Sequence, residues 1–124
     1  MSSASLPGPT TVLVVDDNDA VRAALCGLLQ SHAQIRVVAV ARTVAEATEM
    51  IVELRPAVTL LDISMPGQSG LTAVAGMKRL HPAGRVVMCS LHDEPAFARA
   101  ALREGADGYV VKDNPAGLLD AVCA

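Results

Sequence analysis

The chain has no tryptophan, one tyrosine and one phenylalanine, so large rings cannot fill its interior. With 52% apolar residues and 2% aromatics, the core must come from Val, Leu, Ala, Met and Ile. Charged residues make up only 19%, a balance that excludes a disordered chain. Ten basic residues face thirteen acidic ones, for a formal charge of -3 and a pI near 5.5, and no Lys/Arg run occurs. The chain therefore carries no patch that attracts nucleic acid or an anionic membrane by itself. No apolar run approaches the roughly 20 residues of a membrane span. Cys26, Cys89 and Cys123 match no metal-binding spacing. The first residues lack the basic and apolar regions of a secretory signal, which leads to an expectation of a cytoplasmic, reducing compartment and free thiols.

At 124 residues the sequence fits one domain with a real core. Residues 1–10, small, polar and carrying Pro7 and Pro9, read as a disordered lead-in, and the domain is expected over 11–124, with its last helix cut short. Within it, Val58 to Leu61 forms a buried strand that ends in Asp62, followed by a Pro/Gly-rich loop through Gly70. A carboxylate at that edge is a candidate nucleophile or metal ligand, or simply the cap of the next turn.

Other segments repeat the plan. Thr11 to Val15 is a strand ending in Asp16-Asp17. Asn18-Asp19 then caps a helix with Val21, Ala24, Leu25, Leu28 and Leu29 on one face. Ile35 to Val40 is a strand, and Thr43 to Glu46 has the form of a capping box for a helix that carries Ala47, Met50, Ile51 and Leu54 inward and stops before Pro56. Gly70 to Leu80 reads as a helix with Leu71, Val74, Met77 and Leu80 inward. Arg85 to Cys89 is a strand ending in Ser90. Glu94 to Glu104 is a helix with Phe97, Ala100, Ala101 and Leu102 on its apolar side, closed by a left-handed Gly105. Gly108 to Val111 is a strand ending in Lys112, and Pro115 suits the first turn of a final helix.

Five strand-helix repeats predict an α/β, flavodoxin-like (βα)5 doubly wound sandwich, with a five-stranded parallel sheet in the order 2-1-3-4-5. In that order Asp16, Asp17 and Asp62 converge at one crevice. Three such carboxylates repel one another, and a divalent cation resolves the conflict; all-oxygen ligands of this type suit Mg²⁺. Ser90 and Lys112 end the fourth and fifth strands at the same edge. A phosphoryl group on Asp62 would offer one oxygen to the cation, one to the Ser90 hydroxyl and one to the Lys112 ammonium.

The pattern Val-Val-Asp16-Asp17, Leu-Leu-Asp62-Ile-Ser-Met-Pro-Gly, Met-Cys-Ser90 and Gly-Tyr109-Val-Val-Lys112 resembles the receiver domain of bacterial two-component response regulators. Ser90-Leu91-His92-Asp93 and the run from Gly105 to Asp113 resemble the NarL/FixJ (LuxR-type) subgroup in particular. The resemblance implies a phosphorylation-controlled switch rather than an enzyme. Asp62 would accept phosphate from a sensor histidine kinase, Asp17 and Asp62 would ligate Mg²⁺ with help from Asp16 and the backbone carbonyl of Ser64, and Lys112 would pair with Asp62 or its phosphate. Ser90 and Tyr109 would switch together, and the Ser64 and His92 side chains would tune the phosphate lifetime. It further implies homodimers on phosphorylation, and transcriptional output by DNA contact through a C-terminal helix-turn-helix domain absent from this chain. Leu91 and Asp113 depart from the family pattern, the latter standing where many receivers have a cis-proline.

Two rival readings have discriminating features. An aspartate-nucleophile phosphohydrolase usually has a second acid two residues after the nucleophile, where this chain has Ser64. A phosphate-independent interaction module would not need all the site positions filled. Plain roles compete for single residues: Tyr109 as a packing ring, His92 as a surface loop residue, His32 and His81 as solvated groups near helix ends, and Cys89 as a small buried hydrophobe.

Overall fold

The computed structural model describes residues 8–62, 70–90 and 95–123, with only the backbone described for Gly70, Leu71 and Phe97. Its strands are β1 (Thr10–Val15), β2 (Ile35–Ala41), β3 (Val58–Asp62), β4 (Arg85–Ser90) and β5 (Gly108–Val111). Its helices are α1 (Asp19–Gln30), α2 (Val44–Leu54), α3 (Gly70–Leu80), α4 (Pro95–Arg103) and α5 (Pro115–Cys123). All strand pairs are parallel, and the sheet order is β2-β1-β3-β4-β5, as the five repeats predict.

Alternation along the strands divides the core into two faces. Leu13, Val15, Leu61, Val86 and Met88 point to one side, where Ala47 and Ile51 of α2, Val74 and Met77 of α3 and Ala101 of α4 cover them. Val12, Val14, Leu60, Val87, Cys89 and Val110 point to the other, against Leu25 and Leu29 of α1 and Leu118 and Val122 of α5. Alanines stand at several contacts on the first face, which suits a core without large rings.

Helix ends follow local chemistry. Asn18 Oδ1 accepts from the N–H of Val21 at 3.0 Å and caps α1. Thr43 Oγ1 accepts from the Glu46 N–H at 3.1 Å, but Glu46 Oε1 reaches the N–H of Arg42 at 3.3 Å, one residue earlier than the reciprocal bond of a capping box. Arg85 at the start of β4 donates to the carbonyls of Ala121 (2.8 Å) and Val122 (2.5 Å), so a cation holds the carboxyl end of α5.

Several expectations are corrected. The first strand starts at Thr10, one residue before the strand expected from Thr11, because the N–H of Thr10 bonds Gln34 O at 2.7 Å and Thr10 pairs with Ile35 in the sheet. Leu54, Leu80 and Leu102 are 45%, 40% and 54% exposed rather than inward. Leu54 and Leu80 follow the buried Ile51 and Met77 by three residues, which leaves them about 60° off the buried stripe in the last turn. Leu102 follows the buried Ala101, which takes the core position. Ala24 is exposed as well. His81 is not simply solvated, since its Nε2 lies 3.0 Å from Pro56 O and its Nδ1 is buried. His32 is half-buried, and its Nδ1 accepts from the Gln34 N–H at 3.1 Å. No cis peptide bond occurs among the described residues, so Lys112–Asp113 is trans.

Two glycines of opposite character test this account. Gly105 has φ +104°, where any side chain is strained, whereas a Cβ on Gly27 inside α1 meets nothing within 4 Å. Gly105→Ala is expected to lower the unfolding free energy by about 1–2 kcal/mol, and Gly27→Ala to raise it by about 1 kcal/mol. Urea denaturation of both variants checks the two signs.

Candidate functional site

The sheet register builds the site. Val15 pairs with Leu61, so the next residues, Asp16 and Asp62, stand level on neighbouring strands. Asp62 in turn pairs with Cys89, and Ser90 with Val111, immediately before Lys112. The N–H of Lys112 bonds Ser90 O at 2.7 Å, which ties the ends of β4 and β5 together. Every predicted strand-end residue therefore reaches one edge of the sheet.

Alternation also sorts them by face. Asp16, Asp62 and Lys112 continue the series that points to α1 and α5, while Ser90 and Tyr109 continue the opposite series. Tyr109 is half-buried and packs against the core on the α2–α4 side.

Asp16, Asp62 and Ser90 are only 1%, 6% and 5% exposed, and Asp17 is open to solvent. One carboxylate oxygen from each of the three acids lies within 4.8 Å of the others. Lys112 Nζ donates to Asp16 Oδ2 at 2.7 Å and sits 3.2 Å from Asp62 Oδ1. The pairing expected with Asp62 is thus shared, with the shorter contact going to Asp16. Burial alone would depress the pKa of the Lys112 ammonium, but the Asp16 hydrogen bond and the charges of Asp62 and Asp16 outweigh it and leave it raised. Burial pushes the Cys89 thiol up to about 12, with Lys112 opposing and the two acids adding, so this strand neighbour stays a neutral thiol and not a nucleophile.

All polar atoms of Asp16 are engaged. Its N–H donates to Ala41 O at 3.0 Å, its Oδ1 accepts from the Asn18 N–H at 2.9 Å, and its carbonyl accepts from Arg22 Nη1 at 2.9 Å. The Asp17 carboxylate, by contrast, stands open to solvent. A set of hard carboxylate oxygens this close fits Mg²⁺. Ser64 and His92 lie outside the described residues. Arg22 is the residue at this site that sequence reading missed; the available signal was a cation in the first turn of a helix, against the dipole.

Comparisons with known proteins agree with this geometry. The sequence model of the response regulator receiver domain matches residues 12–123. The chain is 37% identical over 105 residues to the transcriptional regulatory protein LnrK of Bacillus subtilis (strain 168), covering 85% of this chain and 48% of that protein. It is 34% identical over 115 residues to the nitrate/nitrite response regulator protein NarL of Escherichia coli (strain K12), covering 92% and 53%. The signal receiver domain of the response regulator NarL from Mycobacterium tuberculosis superimposes with a TM-score of 0.86 at 35% identity, covering 94% of this chain and 95% of that one. The chain spans about half the length of the curated relatives it matches. Family match, fold and an acid-lined sheet edge agree, and the chain belongs to the receiver domains of two-component response regulators, with NarL/LuxR-type relatives.

Proposed function

We propose that Asp62 is the phosphoacceptor of this receiver domain and that a histidine kinase supplies the phosphoryl group. The observation that carries the reading is Lys112 lying between Asp16 and Asp62, beside an open third acid, at the carboxyl edge of the sheet. In the transfer an Asp62 oxygen forms a bond to phosphorus as the donor's phosphorus–nitrogen bond breaks, and the donor imidazole leaves. Lys112, already within 3.2 Å of Asp62 Oδ1, needs little movement to meet a phosphoryl oxygen. Ser90, at the neighbouring strand end, offers a hydroxyl donor from the other side. Asp17 and Asp62, with Asp16 and the Ser64 carbonyl in support, would hold Mg²⁺, which supplies charge neutralisation at the transferring oxygens.

Phosphorylation adds about -1.5 to -2 charge to this edge. Ser90 and Tyr109 share one face of the sheet, so movement of Ser90 toward the new oxygens leaves room for the ring to follow, and this couples the site to the α4–β5–α5 surface. The Ser64 and His92 side chains would set how long the phosphate survives. Pairing of two phosphorylated copies belongs to the same reading, as does transcriptional output through a further domain, the latter supported by the name of the regulatory relative, which is about twice as long. No helix among the described residues is long and apolar enough to cross a membrane.

Incubation with Mg²⁺ and acetyl phosphate should give one phosphoryl adduct by intact mass, absent in Asp62→Asn and after metal chelation. Rapid turnover of many phosphoesters would favour a phosphohydrolase instead, and no adduct a phosphate-independent module. Asp17→Asn removes one of three repelling carboxylates and should raise the melting temperature without Mg²⁺ while abolishing the increase that Mg²⁺ gives the wild type. Because the Lys112 pKa is raised on folding, its pairing contributes fully below the ordinary lysine value and is lost as pH rises through the raised one. Unfolding free energy should therefore fall in strong alkali, with a shallower fall in Lys112→Met measured by urea titration across that range.

A further inference from the structure

The chemistry above leaves Arg22 without a role. It stands in the first turn of α1, where the helix dipole disfavours a cation. Its side chain is nevertheless only 13% exposed, and its guanidinium is engaged at two points. Nη1 donates to the backbone carbonyl of Asp16 at 2.9 Å, and Nη2 to Asp19 Oδ1 at 2.6 Å. Asp19 also lies 3.6 Å from Arg42, which follows β2, so the clamp is braced against a second loop.

The carbonyl that Arg22 holds belongs to the peptide joining Asp16 to Asp17. The carboxylate of Asp16 is fixed separately, by the Asn18 N–H and by Lys112. Asp17 is exposed, so packing does little to orient it, and its direction follows from the rotation of the peptide before it. We propose that Arg22 is a positioning residue: by clamping the Asp16–Asp17 peptide it aims the Asp17 carboxylate at the cation position shared with Asp62. The inference rests on the receiver reading above and adds to it a residue that touches neither cation nor phosphate.

Charge and positioning predict opposite signs, which makes the idea testable. A guanidinium beside three carboxylates repels a divalent cation, so as a mere charge its removal would tighten Mg²⁺ binding. As a positioning group its removal weakens binding, by about tenfold or somewhat more on the scale of supporting contacts at metal sites. The experiment is a MgCl₂ titration of the wild type, Arg22→Met and Arg22→Lys by calorimetry, with amide exchange at Asn18 followed by NMR and melting recorded without Mg²⁺. Expected are weaker binding and faster Asn18 exchange in Arg22→Met. Arg22→Lys should be intermediate, because an ammonium keeps the charge but cannot reproduce the two-pronged geometry. Should Arg22→Met fail to fold, Arg22→Lys and Asp19→Ala, which removes the acceptor of Nη2, carry the same comparison. Unchanged or tighter Mg²⁺ binding in the folded variants, even with a lower melting temperature, overturns the inference alone. A wild-type chain that binds no Mg²⁺ overturns the receiver reading and this inference with it.

Discussion

The structure depends on one buried cation set among acids. Lys112 reaches back from the end of β5, across β4, to contact Asp62 at the end of β3 and Asp16 after β1 beyond it. Its side chain is 8% exposed, and the acids it meets are as well hidden. Asp16 and Asp62, held this close in a desolvated place, destabilise one another, and the ammonium between them offsets that. With the open Asp17, the edge presents three carboxylates whose oxygens fit a divalent ion. The ammonium is also already beside Asp62, where a phosphoryl oxygen would need it.

That arrangement is possible because the sheet behaves as a rigid frame. Residues of β1, β3 and β4 are buried on both faces by helices, so the heights of their last residues are set by register and not by loop conformation. The same alternation that divides the core sends Asp16, Asp62 and Lys112 toward one side and Ser90 with Tyr109 toward the other. In the proposed mechanism, charge neutralisation and conformational response would fall to opposite faces of one sheet. Tyr109 is only half-buried against the α2–α4 face, where alanines stand among larger aliphatic side chains.

Legibility from sequence varied with how local the cause was. Strand ends at Asp62 and Val111, the Asn18 cap and the left-handed Gly105 all depend on a few neighbouring residues, and the structure has them where the sequence puts them. Periodicity was less dependable in the last turns of helices, where Leu54, Leu80 and Leu102 are apolar and yet face solvent. The pattern records which residues can be buried, and the packing of each helix on the sheet decides which are. His81 illustrates the reverse case, a polar residue drawn toward Pro56 by a turn that no local rule anticipates.

By itself the sequence determined the order of elements, the parallel sheet, and the set of acids, hydroxyl and amine at strand ends, because hydrophobic alternation and turn chemistry act over short stretches of chain. Only the tertiary structure decided that Lys112 favours Asp16 over Asp62 by half an ångström, that Asp16 is fully engaged while Asp17 stands open, and that Arg22 grips the peptide between them. Those choices rest on distances between groups up to 96 positions apart, and such distances exist only once register, twist and helix packing have been set together.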